Sequence, residues 1–97
     1  MPSAQLLFHS KRVYDDSAIA ELKIWVVESP VPGSDHVLKY SLFYGEGGAR
    51  IVGYDNERGK GDHRHYGDRE EPYAFSSVDQ LLADFEADVS KIRGGSL

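Results

Sequence analysis

Hydrophobic and polar residues alternate along the first half of the chain, which is the pattern of strands with one buried and one exposed face. The clearest case is residues 18–28, where every second residue is apolar: Ala18, Ala20, Leu22, Ile24 and Val26. Residues 36–44 alternate in the same way, and residues 6–14 and 49–56 complete a set of four predicted strands. The connections are too short to contain crossover helices, so the pattern predicts an antiparallel meander, with room for a short fifth strand around residues 63–66.

A helix is predicted at the C-terminal end, over residues 77–93. Ser77 is a suitable N-cap, and Gln80 follows three residues later, as a capping box requires. Apolar residues then recur at helical spacing and form one stripe, which consists of Val78, Leu81, Leu82, Phe85, Val89 and Ile92. The acidic residues Asp84 and Asp88 are expected to lie on a solvated face. Because the apolar stripe has to pack on the apolar face of the sheet, the predicted fold class is α+β, with one helix packed on one face.

Composition limits the function classes more than it identifies one. The chain has 97 residues, 40% hydrophobic and 28% charged, which is typical of a single folded domain over residues 1–97. Its net charge is −5, whereas proteins that coat nucleic acid are normally basic, so any contact with nucleic acid must use a local cluster of cations. The absence of cysteine excludes disulfides and thiolate zinc sites. No apolar window is long enough for a membrane span or a signal peptide, so we expect a cytoplasmic protein.

The polar stretch between the fourth predicted strand and the helix, residues 54–73, is the unusual part of the sequence. It contains no alanine, valine, leucine, isoleucine or methionine, so its composition does not suit a core strand. Long loops inside compact domains are usually functional or disordered. Its tyrosines can anchor the segment by packing, which argues against disorder. We therefore expect an ordered functional loop.

The candidate chemistry of this stretch depends on two histidines. His63 and His65 are separated by one residue, so in an extended segment both imidazoles point to the same side. Two imidazoles can act as acid and base when RNA is cleaved by its own 2′-hydroxyl. Cations would stabilise the charge on phosphorus, and the candidates are Lys60, Arg58 and Arg64. A carboxylate, Asp62 or Asp55, would orient an imidazole through its second N–H.

The other candidates would bind the substrate. Gly59 and Gly61 flank Lys60, and successive N–H groups in such a turn can form an anion-binding nest. Tyr54 or Tyr66 would stack on a base. The predicted catalytic residues are therefore His63, His65, Lys60, Arg58 and Asp62, and the predicted substrate-binding residues are Tyr54, Asp55, Arg64, Gly59, Gly61 and Tyr66.

Three other interpretations of the polar stretch remain open. Its mixed charges can form salt bridges that only hold a loop on the sheet. It can bind a partner protein or nucleic acid without catalysis, with an open sheet edge that accepts a partner strand. His63, His65 and either Asp62 or Asp55 can also ligate a metal ion, but this spacing is nonspecific, and His9 and His36 are interpreted as ordinary strand residues. The leading hypothesis is a metal-independent ribonuclease without a cofactor, and whether the protein is an enzyme stays open.

The segment "YDNERGKGDHRHYGDREEPYAF", followed by "SSVDQLLADFEADV", resembles the TumE-like toxin family. Shorter segments, "VYDD", "PVPGSDH" and "KYSLFY", extend the resemblance over most of the chain. It implies a cytoplasmic toxin of a bacterial toxin–antitoxin pair, with a helix-turn-helix antitoxin as partner. The resemblance implies no catalytic residues and no oligomeric state, so the ribonuclease hypothesis depends on the side chains alone.

Overall fold

A computed structural model describes residues 4–94, which form an antiparallel sheet of six strands and one helix. The strands are β1 (Ala4–Val13), β2 (Ile19–Val27), β3 (Leu38–Glu46), β4 (Ala49–Glu57), β5 (Gly61–Tyr66) and β6 (Arg69–Pro72), and the helix is α1 (Val78–Gly94). The strands lie side by side in chain order, so the sheet is a meander. The predicted α+β class, the antiparallel meander and the C-terminal helix are confirmed.

The predicted strand number of four or five is too low, because the stretch expected as a loop over residues 54–73 contains two strands: β5, which overlaps the possible fifth strand around residues 63–66, and β6, which was not predicted. β4 continues to Glu57, and β5 and β6 form a hairpin through a turn at Gly67 and Asp68. Gly67 has a φ of 62°, which glycine adopts without strain. A ladder needs paired backbone groups rather than aliphatic side chains, so a polar segment can extend the sheet where its side chains also find partners.

The core lies between the sheet and α1. The sheet contributes alternate residues of β2, β3 and β4, and the buried ones include Ala20, Ile24, Tyr40, Leu42, Tyr44 and Val52. The helix contributes Leu81, Phe85 and Val89. At its start, the Ser77 hydroxyl accepts a hydrogen bond from the Gln80 N–H at 3.1 Å, as expected of an N-cap. Among residues 4–94, no helix combines the length and the apolar character that crossing a membrane requires.

The sheet has two different faces at its polar end. We call the side that packs on α1 the helix face and the opposite side the open face. On the helix face, Tyr54 of β4 stands opposite Arg64 of β5. On the open face, Asp55 stands opposite His63, and the next residue on that face of β5 is His65. Strand alternation therefore divides the polar stretch into two groups of side chains.

Candidate functional site

Three side chains on the open face, Asp55 of β4 and His63 and His65 of β5, converge, and we call them the open-face centre. Nε2 of His63 lies 2.6 Å from Oδ1 of Asp55. Nε2 of His65 lies 3.5 Å from the same oxygen. The two imidazole rings pack edge to face with their centroids 4.8 Å apart. The register of β4 with β5 causes this convergence, because it places Asp55 directly opposite His63.

The three converging atoms are buried and have no hydrogen-bond partner among residues 4–94. His63 is only 4% exposed and His65 only 6%. The distance between His63 Nε2 and Asp55 Oδ1 is short enough for a hydrogen bond, but the two groups are not aligned as a hydrogen bond requires. Buried polar atoms normally have partners, and each one left unpaired costs about 1–3 kcal/mol. The three unpaired atoms of the open-face centre therefore lower the stability of the fold.

The outer nitrogens of both rings face acceptors. Nδ1 of His63 lies 2.9 Å from the carbonyl oxygen of Gly61, and since a carbonyl can only accept, Nδ1 carries the hydrogen. Nδ1 of His65 lies 3.6 Å from Oε2 of Glu70. When the His63 ring is neutral, its Nε2 consequently presents a lone pair to Asp55.

Glu70 of β6 and Lys60 of the β4–β5 turn form the rim of the open-face centre. Lys60 Nζ lies 3.4 Å from Oε1 of Glu70, whose Oε2 lies 3.5 Å from Nε2 of His63. Desolvation acts to raise the pKa of Glu70, but Lys60 and the two histidines outweigh it and lower that pKa. A shallow pocket of about 220 Å³ opens to solvent between Lys60, His63 and Glu70. Glu70 was not predicted from the sequence, and the signal that could have indicated its position is Gly67-Asp68, a residue pair typical of two-residue hairpin turns.

Asp62, expected to orient one of these two imidazoles, lies on the helix face and contacts a different histidine. Nε2 of His36 lies 2.7 Å from its Oδ2, and the Tyr40 hydroxyl donates to the same oxygen at 2.6 Å. The Ser34 hydroxyl donates to Oδ1 at 2.6 Å. Nδ1 of His36 accepts the Leu38 N–H at 3.2 Å, so both nitrogens of this ring are occupied. We call Asp62, His36, Tyr40 and Ser34 the Asp62 cluster.

Arg64, Tyr54 and Tyr66, predicted to bind the substrate, also lie on the helix face. Arg64 Nε donates to Glu71 at 2.9 Å, which is one of the salt bridges that the alternative interpretation anticipated. The hydroxyls of Tyr54 and Tyr66 both donate to Asp88 of α1. Asp88 is therefore an anchor for the sheet, rather than part of a solvated face as expected. Tyr54 is only 1% exposed, so its ring has no surface on which a base could stack.

The turn at residues 59–61 packs against the loop that precedes β3. The Gly59 N–H donates to the Pro32 carbonyl at 2.6 Å. A Cβ on Gly61 would lie 2.5 Å from the Gly33 carbonyl oxygen, and its φ is 75°, so the position requires glycine. The Gly59 amide is thus used within the protein rather than offered to an anion, while Arg58 is exposed beside the turn.

Comparison with known proteins places the chain in a family. Residues 3–93 match a protein-family model described as toxin TumE. No curated protein and no solved structure matches the chain. The family match spans all six strands and includes the open-face centre, so the resemblance seen in the sequence is confirmed.

Proposed function

The chain belongs to the TumE toxin family, and from this premise we propose that it is the toxin of a toxin–antitoxin pair and cleaves RNA at the open-face centre. The observation that carries the proposal is the convergence of three buried, unpaired atoms on Asp55, His63 and His65. Unpaired buried groups lower stability, and strained or unsatisfied sites are expected where function requires them. The compartment of this activity would be the cytoplasm.

Cleavage by the 2′-hydroxyl of RNA fits these side chains. One group has to remove the hydroxyl proton, and another has to protonate the leaving 5′-oxygen. In the metal-independent form of the reaction, the imidazoles of His63 and His65 make these two transfers, each worth about 10²–10⁴-fold in rate, and binding of RNA has to expose their buried Nε2 atoms. Asp55 places negative charge beside both imidazolium rings as they form, and Lys60 at the rim supplies positive charge for the phosphate.

Purified protein and a mixed-sequence single-stranded RNA test this proposal. We expect wild-type protein to leave 2′,3′-cyclic phosphate ends if the 2′-hydroxyl attacks. The His63→Ala, His65→Ala double variant should be at least about 100-fold slower. The matched control is His9→Ala, because His9 lies on β1 at the other edge of the sheet and contacts Glu21. Undiminished cleavage by the double variant would contradict the proposal.

A second candidate function, binding of a partner protein at a site separate from the open-face centre, is favoured by the exposed edge strand β1. All ten of its residues are exposed, and β1 pairs with β2 alone among the described strands. Four large apolar side chains on it are at least 41% exposed: Leu6, Leu7, Phe8 and Val13. An unpaired edge can accept a further strand. Because a toxin family implies an antitoxin, we assign this edge to the antitoxin, of the helix-turn-helix type.

A Leu7→Lys, Phe8→Lys double variant tests the assigned edge against the open-face centre. Charge on the apolar surface should weaken capture of the antitoxin by more than about 10-fold, since each buried side chain is worth about 1.5–3 kcal/mol. RNA cleavage by the same variant should stay unchanged. Undiminished antitoxin capture would contradict this assignment without affecting the ribonuclease proposal.

A further inference from the structure

We propose that the open-face centre binds one divalent transition-metal ion, with Asp55, His63 and His65 as its protein ligands. Each residue offers one ligand atom, and the three atoms lie within 4.8 Å of one another. Two imidazole nitrogens and one carboxylate oxygen form a donor set that suits zinc, iron(II) or manganese. The role of the ion in catalysis rests on the proposed function, whereas its binding does not.

The contact between His63 and Asp55 indicates a cation at the centre. The His63 nitrogen that faces Asp55 bears a lone pair when the ring is neutral, because its other nitrogen donates to the Gly61 carbonyl. A lone pair and a carboxylate oxygen repel each other at 2.6 Å unless a positive charge lies between them. A shared proton would give a directed hydrogen bond, which these two atoms lack. A metal ion that contacts both atoms removes the repulsion, and it does not require the alignment of the two groups that a hydrogen bond requires.

The distances are close to those of a metal site. A tetrahedral zinc ion with bonds of about 2.0–2.1 Å holds its ligand atoms about 3.3 Å apart. The separation between His65 Nε2 and Asp55 Oδ1 is 3.5 Å. The separation between His63 Nε2 and the same oxygen is 2.6 Å, and all three ligand atoms lie within 4.8 Å of one another, so shifts of no more than about 1.5 Å would complete the geometry.

The surroundings of the two rings are those expected of metal ligands. Metal-binding histidines usually donate their other N–H to a carbonyl or a carboxylate, which fixes the tautomer. His63 makes such a hydrogen bond to the Gly61 carbonyl, whereas Nδ1 of His65 lies 3.6 Å from the Glu70 carboxylate, which is an ion-pair distance rather than a hydrogen bond. Glu70 is therefore assigned as a positioning residue for His65.

The solvent side leaves space for a further ligand. The pocket of about 220 Å³ between Lys60, His63 and Glu70 adjoins the centre at His63. A zinc ion with three protein ligands keeps one position for water and lowers the pKa of that water to about 7, which would supply a base at neutral pH. His63 and His65 would then hold the ion rather than transfer protons themselves, which agrees with rings that are only 4% and 6% exposed.

Metal binding is measured on chelator-treated protein, by calorimetry with Zn²⁺ or Mn²⁺ and by visible absorption with Co²⁺. We expect one ion per chain, with at least about 100-fold weaker binding in Asp55→Asn and in His63→Gln, since each removes a ligand. Glu70→Gln should bind the ion about 10–100-fold more weakly, as is usual when a residue that contacts a metal ligand is replaced. Zn²⁺ at 100 times its Kd should raise the melting temperature of wild type by about 10 °C or more. His9→Ala should behave as wild type.

Failure of all three ions to bind at one per chain, or equal affinity in wild type and Asp55→Asn, would overturn the proposal. Asp55→Asn keeps the size of the side chain, and its amide can donate to Nε2 of His63, so it should fold without metal. Circular dichroism of the metal-free variant checks this. Stoichiometric binding without RNA cleavage would leave the metal site standing and remove the ribonuclease proposal. Cleavage that persists with chelator, by protein that binds no metal, would remove only the metal site.

Discussion

The two faces of the polar end of the sheet carry the same kinds of side chain in opposite states. In the Asp62 cluster, both carboxylate oxygens accept hydrogen bonds, and both nitrogens of His36 have partners. In the open-face centre, an aspartate and two histidines leave three buried atoms without a hydrogen bond within residues 4–94. Asp62 and His63 are adjacent in sequence, so composition does not account for the difference. The satisfied cluster holds the fold together, and the unsatisfied centre is suited to an external ligand.

The largest expected effect that separates the two faces is on stability. Asp62→Ala removes the acceptor of Ser34, His36 and Tyr40, and we expect it to lower the free energy of unfolding by about 2–4 kcal/mol, because buried donors lose their partner. Asp55→Ala in metal-free protein should cost less than about 1 kcal/mol, since the removed oxygen has no hydrogen bond to lose. Urea unfolding of chelator-treated variants measures both values. Equal losses would remove the contrast between the two faces.

Much of the fold could be predicted from apolar residues, because the spacing of these residues shows which positions of a strand or helix are buried. The alternation from Ala18 to Val26 and the helical stripe after Ser77 both correspond to observed elements. β6 was not predicted, and β5 was predicted only in part, as a short fifth strand around residues 63–66, because the side chains that pair there are polar. The hydroxyl of Tyr66 meets a helix carboxylate, and such a contact leaves no hydrophobic pattern in the sequence.

The site could be predicted only in part, because it depends on register. A period of two places His63 and His65 on one side of a strand, and they do lie together. Which aspartate accompanies them is decided by the pairing of β4 with β5 and by the turn that joins them, which place Asp55 opposite His63. Asp62 precedes His63 on the same strand and therefore points to the other face, where it meets His36.

A pair of cation substitutions should give a smaller difference between the faces. Lys60 places a positive charge beside Glu70, at the pocket that His63 also lines. Lys60→Ala removes this charge, and we expect RNA cleavage to fall about 10-fold. Arg64→Gln acts on the helix face, where Arg64 contacts Glu71, and should change cleavage by less than about 2-fold at temperatures where it is folded. Initial rates on the same RNA make the comparison. A larger loss in Arg64→Gln would place the substrate on the wrong face for our account.

The smallest expected effect is on acid stability. Burial acts to raise the pKa of Asp62, but hydrogen bonds from Ser34, Tyr40 and His36 outweigh it, so its folded pKa is below the ordinary 3.8. A lowered folded pKa means that Asp62 contributes stability above its unfolded pKa, and that this contribution is lost as the pH falls through the lowered folded value. Urea unfolding between about pH 5 and about pH 2 should therefore show a steeper decline in wild type than in Asp62→Asn. Parallel curves would show that the Asp62 cluster does not hold a charged carboxylate.

Growth arrest after induction of the toxin, compared between Asp55→Asn and Asp62→Asn, tests the central claim most directly. Both variants replace one carboxylate by an amide of the same size, but on opposite faces of the sheet. We predict that Asp55→Asn loses growth arrest while remaining folded, because the open-face centre carries the activity. Asp62→Asn should still arrest growth at a temperature where it is folded, despite its lower stability. Full toxicity in a folded Asp55→Asn protein would contradict the account.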